Sequence, residues 1–220
     1  MSNRRQGRRR AVGDLKRELI LDAARRVFEA EGLDGASLRA IAAAAGYTPA
    51  ALYFHFDSKE AIYAEVLRGS LARLGERVAS AVAGAPGPED RLRAAAMAFF
   101  QFYDENPRDL DLGFYLFRGG MKPRDLGQAR DEALNAALAA ALRPIAAAAE
   151  ELGAAPEAAR LLMVDSFAHA AGLLLLAHTG RIRMFGASAS RLMAAYVETR
   201  IDGLHSDSRR SGRKTKGRRS

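Results

Sequence analysis

The sequence contains no cysteine among its 220 residues. Disulfide bridges and thiolate metal sites are therefore excluded, which is compatible with a reducing cytoplasm. Strand signals are nearly absent as well, because alanine, leucine, glutamate and arginine dominate and the apolar residues recur at helical spacing. The sequence therefore predicts an all-α fold.

Long uninterrupted apolar runs are also missing. The most apolar region, residues 161–179, is interrupted by Asp165, His169 and His178, whereas a membrane span needs about 18 or more apolar residues with few charges. The arginine-rich beginning is not followed by the apolar segment of a secretory leader. We therefore expect a cytoplasmic protein with no membrane partner.

Positive charge is concentrated at the two ends of the chain. Residues 1–17 and residues 205–220 each carry seven basic side chains and one acid, a net charge of +6, while the 187 residues between them carry −4. Basic blocks raise the affinity for polyanions by releasing counterions, but they also occur simply as solvated ends. We expect disordered basic tails at residues 1–13 and 205–220, and both roles are open at this point.

Glycine, proline and capping residues divide the chain into about nine helices. Asp14 is expected to cap a first helix that ends near Gly32, and Ser37 and Thr48 to cap the second and third helices on either side of Gly46. The later helices are expected near residues 58–82, 88–105, 107–118, 124–152, 156–179 and 187–204.

Residues 37–59 have the layout of a helix-turn-helix, in which a short third helix approaches the major groove. Its solvent side offers only small side chains, those of Thr48, Pro49, Ala50 and Ala51. Tyr53, His55 and Lys59 can hold phosphate, and Arg39 can reach a guanine edge. Leu52 and Phe56 are expected to point to the core, and so is Phe54.

Residues 14–62 resemble the N-terminal domain of the TetR family of bacterial transcriptional regulators, over about a quarter of the chain. The resemblance is carried by Ala23-Ala24, Phe28, Gly32, Ser37, Arg39, Ile41-Ala42, Ala45-Gly46, the run from Leu52 to Phe56, and Ser58-Lys59-Glu60. It implies that the DNA contacts are Ser37, Arg39, Thr48, Pro49, Ala50, Ala51, Tyr53, His55 and Lys59. It also implies a homodimer that binds a palindromic operator, represses transcription and is released by a small molecule. The corresponding domains are a DNA-binding domain at 14–60 and a helical ligand-binding and dimerisation domain at 61–204.

The C-terminal part has no recognisable motif, so its residues are judged by their chemistry. Aromatic and methionine side chains crowd several helices, as they do around apolar pockets and also in ordinary bundle cores. The expected pocket residues are Phe99, Phe102, Tyr103, Phe114, Phe117, Arg118, Met121, Met163, Phe167 and His169. They would hold a small apolar or aromatic effector.

Two apolar stripes near the C-terminus are expected to form the dimer interface, since the resemblance implies a four-helix bundle between two copies. The first stripe comprises Leu161, Val164, Ala168, Gly172, Leu175 and Leu176, and the second comprises Met193, Val197, Ile201 and Leu204. Packing within one chain is the alternative for each stripe.

Two other functions are alternatives to a ligand-responsive regulator. Asp165 and His169 share a helix face, but neither a serine nucleophile nor a third metal ligand accompanies them, so we expect no enzyme, no metal and no cofactor. The second alternative is a DNA-binding regulator with no small-molecule ligand.

Overall fold

The structure, a computed structural model that describes residues 2–114 and 126–216, confirms the all-α prediction. Within these ranges it consists of nine α-helices and one 3-10 turn. The helices are α1 (Ser2–Gly35), α2 (Leu38–Ala45), α3 (Pro49–Tyr53), α4 (Lys59–Ala83), α5 (Pro88–Glu105), α6 (Pro107–Phe114), α7 (Gln128–Glu151), α8 (Pro156–His178) and α9 (Ala189–Lys216), and the 3-10 turn is Arg181–Phe185.

The chain forms two compact units. The first unit comprises residues 1–70 and 108–134, and the second comprises residues 71–107 and 135–220. The division in α4 therefore falls at Ser70, ten residues beyond the expected boundary, and α6 belongs to the first unit. Helix α4 is continuous from Lys59 to Ala83, so its residues contribute to both units.

Both basic ends continue the neighbouring helices rather than forming separate tails. Helix α1 begins at Ser2, well before Asp14, and α9 extends past His205 to Lys216. Arginine and lysine have high helix propensity, which favours these extensions. The regular part of α1 ends as expected at Gly32, where φ is 69° and ψ is 176°. Only glycine adopts that conformation readily.

The core of the first unit joins α1, α2, α3, α4 and α6. Ile20, Ile41 and Leu52 are fully buried. The ring of Phe28 on α1 meets the ring of Tyr63 on α4 edge-on, with centroids 5.1 Å apart. The hydroxyl of Tyr63 in turn donates a hydrogen bond to the carbonyl oxygen of Leu112 on α6. Tyr63 therefore holds three helices together.

A network of charged side chains also fastens α6 to α1 in the first unit. Arg25 pairs with Asp109 at 2.8 Å and with Glu29 at 3.0 Å, and Arg108 pairs with Glu29 at 2.9 Å. The side chain of Asp109 is only 2% exposed. Removing one partner of such a pair leaves a buried charge without compensation, which is strongly destabilising.

Asp109→Ala is expected to lower the free energy of unfolding by about 2 kcal/mol. The loss falls below that of a fully buried pair because Arg25 keeps Glu29 as a partner. Urea denaturation followed by circular dichroism measures it. Asp22→Ala, which breaks the exposed pair of Asp22 with Arg26 on the same helix, is the matched control and should cost under about 0.5 kcal/mol. Equal effects of the two substitutions would contradict the structural role of Asp109.

Candidate nucleic-acid interface

The turn between α2 and α3 is built by side-chain caps and one glycine. The Oγ of Ser37 accepts a hydrogen bond from the backbone N–H of Ala40 at 3.1 Å, and the Oγ1 of Thr48 accepts one from Ala51 at 3.3 Å. Gly46 has a φ of 73°, in the left-handed region that favours glycine. These caps and this turn are the ones that the sequence predicts.

Helix α3 has one buried and one accessible side. Leu52 is fully buried and Phe56, just beyond the helix, is nearly so. On the other side Thr48, Pro49 and Ala50 are exposed, and Ala51 is half-buried. The first turn of α3 therefore exposes only small side chains, so that a flat partner can approach the helix backbone closely there.

Phe54 does not lie in the core, contrary to the expectation from the sequence. Its side chain is 88% exposed, and that of the neighbouring Tyr53 is 59% exposed. The reason is the helical register: Leu52 and Phe56 are four residues apart and share the inner side, which leaves Phe54 between them on the outer side. This spacing was visible in the sequence and could have corrected the assignment.

Arg17 organises the end of α3, although sequence reasoning did not single it out. Its Nη1 donates to the carbonyl oxygen of His55 at 3.1 Å, and its guanidinium lies 4.3 Å from the centroid of the Phe56 ring. It also pairs with Glu65 on α4 at 3.1 Å. Although burial acts to raise the pKa of Glu65, hydrogen bonds from Arg68 and Arg17 hold that pKa below its ordinary value.

Lys59 has a partner within the first unit. Its Nζ donates to the carbonyl oxygen of Ala36 at 3.0 Å, beside the cap of α2. Two further N–H bonds of the ammonium group are available to a phosphate. All nine predicted DNA contacts thus lie in the first unit, and each is exposed or half-buried: Ser37, Arg39, Thr48, Pro49, Ala50, Ala51, Tyr53, His55 and Lys59.

Part of the predicted effector pocket forms an aromatic cluster in the second unit. The ring of Phe99 lies 5.3 Å from that of Tyr103 and 5.8 Å from that of Phe167, and Phe102 contacts Tyr103 at 5.1 Å. Met163 and Phe167 are half-buried, whereas the other rings are buried. Phe117, Arg118 and Met121 lie outside the described residues, as does the side chain of Phe114.

His169 stacks on Tyr196, with ring centroids 4.1 Å apart and an interplanar angle of 14°. Burial lowers the pKa of His169, an effect that the charge of Asp165 opposes and that of Arg200 reinforces. In the part of the chain that the structure describes, its Nε2 is buried without a hydrogen-bond partner. Asp165 accepts a hydrogen bond from Tyr196 at 2.7 Å and pairs with Arg200 at 2.6 Å. Asp165 is therefore held by side chains of α9.

The two stripes predicted for the dimer interface differ in accessibility. On α8, Leu161 is 52% exposed and Leu175 is 58% exposed, and Val164, Ala168, Gly172 and Leu176 are exposed as well. On α9, by contrast, Met193, Val197 and Ile201 are buried within the second unit. These three residues repeat at intervals of four and face α5 and α8, with which α9 packs, so they belong to the core of one chain. Leu204 is half-buried.

An open groove of about 630 Å³ lies between the outward sides of α8 and α9. Its lining comprises Ala158, Leu161, Leu162, Val164, Asp165, Ala168, Thr199, Arg200, Gly203 and Leu204. The groove shares four residues with the predicted dimer interface and none with the predicted effector pocket.

Helix α8 is long and apolar enough to cross a membrane by length and composition alone, but only 22% of its apolar window is buried in the structure. The core helix of a protein outside the membrane can pass the same test. Helix α8 is therefore a long apolar helix, and the described part of the chain leaves one of its sides uncovered.

Part of the chain is similar in sequence to known regulatory proteins. Residues 20–66 match the family model of bacterial regulatory proteins, tetR family. The chain is 36% identical over 89 residues to the transcriptional repressor KstR2 of Rhodococcus jostii, covering 40% of this chain and 44% of KstR2. It is 36% identical over 101 residues to the transcriptional activator FasR of Mycolicibacterium smegmatis, covering 46% of each protein. These matches thus span less than half of either relative.

The fold as a whole is similar to that of the transcriptional regulator FadR from Bacillus subtilis in complex with stearoyl-CoA. The TM-score is 0.62 at 16% identity, over 86% of this chain and 97% of FadR. The family-model match covers the last part of α1, then α2, α3 and the beginning of α4, and the structural match extends to the second unit. The likeness to the tetR family of bacterial regulatory proteins thus rests on residues 20–66, and beyond them the likeness is one of fold.

Proposed function

We propose that this protein is a cytoplasmic, dimeric repressor that binds a palindromic operator through α3 and leaves it when a small apolar molecule binds the second unit. The observation that carries the proposal is the accessible side of α3, where small side chains lie between capped ends and next to Tyr53. A helix with such a side fits the major groove, and the groups around it can reach the phosphates on either side.

The roles of the contact residues follow from their positions. Thr48, Pro49, Ala50 and Ala51 approach the base edges, and Arg39 on α2 supplies a bidentate donor for a guanine. Ser37, Tyr53, His55 and Lys59 contact phosphates and fix the register of α3 in the groove. Phe54, exposed beside Tyr53, adds an apolar contact with sugar or with a thymine methyl group.

Tyr53→Phe tests the phosphate contact without changing the ring. The variant should bind both operator and arbitrary duplex DNA about tenfold more weakly, because a hydrogen bond to a charged group contributes about 1.5 kcal/mol or more. Fluorescence anisotropy on genomic fragments selected for binding, and on a duplex of arbitrary sequence, measures both affinities. The melting temperature should not change, since the hydroxyl is on an exposed side chain.

Arg39→Lys is the matched comparison, since it keeps the charge and removes the bidentate fork. It should relax the preference for one base pair of the operator while binding to arbitrary DNA stays the same. If neither substitution changed binding to any duplex, the assignment of α3 as the reading helix would be wrong.

The uncovered side of α8 supports the proposed dimer. Apolar side chains at both ends of the stripe flank Ala168 and Gly172, whose small size lets two helices cross closely. A two-fold dimer buries the same stripe on both copies and presents two copies of α3 to one duplex. The groove between α8 and α9 would then be filled by the partner copy.

Val164→Arg is expected to dissociate the dimer, because it places two charges in the apolar contact. Sedimentation velocity at micromolar concentration measures the change. Met184→Arg alters a residue of the same unit that is 79% exposed on the 3-10 turn, and it should leave the dimer intact. A Val164→Arg protein that sediments as the unaltered chain does would exclude this face.

The aromatic cluster around Phe99 supports an apolar effector. Its rings come from α5 and α8, and half-buried Met163 and Phe167 can move aside to admit a ligand. The FadR complex shows that this fold can hold an acyl-CoA. Release from DNA would follow if the ligand fits only a conformation in which the two copies of α3 are misplaced, and continuous α4 could carry that change.

Stearoyl-CoA is the first probe for binding at this aromatic cluster. Saturating probe should raise the melting temperature by several degrees, because binding to the native state stabilises it, and should weaken binding to the selected genomic fragments. Phe167→Ala should reduce both effects, whereas Phe185→Ala, at an 80% exposed position of the same unit, should not. If acyl-CoA, free fatty acids and aromatic acids all left both measurements unchanged, the alternative of a regulator without a small-molecule ligand would be favoured.

A further inference from the structure

The DNA-reading part of the first unit is acidic, which poses an electrostatic problem. Residues 14–60 contain eight acidic and six basic side chains, a net charge of −2. Four of the six basic groups already have partners inside the unit, namely Arg17, Arg25, Arg26 and Lys59. A domain with this balance is not attracted to DNA by its overall charge, although charge neutralisation supplies most non-specific affinity.

Positive charge that could attract DNA lies immediately before residues 14–60 in the sequence. Residues 2–10 contain five arginines and no acid, and their backbone continues α1 without interruption. We call residues 2–10 the basic arm. Adding the arm changes the net charge of the DNA-reading part from −2 to +3, because the three residues between arm and domain are uncharged.

The basic arm begins close to the reading helix. Arg17 is fixed to the carbonyl oxygen of His55 and to the ring of Phe56, both at the end of α3. At 1.5 Å per residue, Arg10 lies about 10 Å and Arg4 about 20 Å along the helix from Arg17. The arm thus continues a helix that passes the end of α3 at Arg17.

A membrane surface is the other polyanion to weigh. Val12, Leu15 and Leu19 are exposed on α1, but residues 2–10 contain no apolar side chain that could enter the lipid. Interfacial helices need a continuous apolar side in addition to basic residues. The composition of the arm therefore favours a purely electrostatic partner.

We infer that the basic arm is a second DNA-binding element, which contacts backbone phosphates beyond those reached by α3 and its flanking residues. This inference rests on the proposed function, since it assigns the arm to the same duplex that α3 reads. The arm supplies affinity that is independent of sequence and sensitive to salt, while α3 supplies the preference for an operator.

The test replaces all five arginines of the arm, Arg4, Arg5, Arg8, Arg9 and Arg10, by glutamine, which keeps high helix propensity. The matched control replaces five basic residues at the other end of the chain, Arg209, Arg210, Arg213, Lys214 and Lys216, by glutamine. Both variants lose the same charge. The probe is a duplex of arbitrary sequence, and the readout is the slope of log Kobs against log salt concentration.

The arm variant should lower the magnitude of this slope by more than about 2 per chain, since each phosphate contact contributes about 0.9. The control variant should change it by less than half as much, and both variants should retain their preference for the selected genomic fragments. Equal slopes for the two variants would overturn the inference and leave the proposed function standing. So would an unchanged slope combined with loss of binding to anionic phosphatidylglycerol vesicles, which would assign the arm to membranes. Failure of the unaltered protein to bind any duplex would overturn both proposals.

Discussion

The burial of Leu52 and Phe56 is the constraint on which the candidate interface depends. A helix of five residues cannot be stable by its own hydrogen bonds, because nucleation costs more than so few bonds return. Helix α3 persists because Leu52 is fully buried, Thr48 caps its first turn and Arg17 packs on Phe56 behind it. Apart from the cap that Thr48 provides, the side that faces solvent takes no part in this anchoring, so its side chains are free to serve recognition.

The same separation of roles explains which features the sequence could predict. Caps and breakers act over three or four residues, so Ser37, Gly46 and Thr48 predicted the boundaries of α2 and α3 correctly. The hydrophobicity of Phe54 predicts a core position, which is wrong. The interval of four residues between Leu52 and Phe56 puts these two on the inner side of α3 and Phe54 on the outer side.

Features that depend on contacts distant in sequence were beyond local reasoning. The pairing of Arg25 with Asp109 joins residues 84 positions apart, and that contact helps to place α6 in the first unit. The two stripes proposed for the dimer had equal claims in the sequence, since both are apolar and helical. Only packing shows that Met193, Val197 and Ile201 are enclosed by their own chain, whereas the stripe on α8 stays uncovered. An amphipathic pattern predicts a buried side but does not say whose atoms bury it.

The roles of the basic side chains also differ between the packed domain and the beginning of the chain. Within residues 14–60, most basic side chains have partners in the fold. Arg17, Arg25 and Lys59 hold helices together and are only partly available to DNA. A domain that uses its cations in this way needs another source of attraction for a polyanion. In the proposed arrangement, the arginines of the basic arm supply that attraction from outside residues 14–60. Separating the cations that stabilise the fold from those proposed to attract DNA would also allow affinity to change without loss of stability.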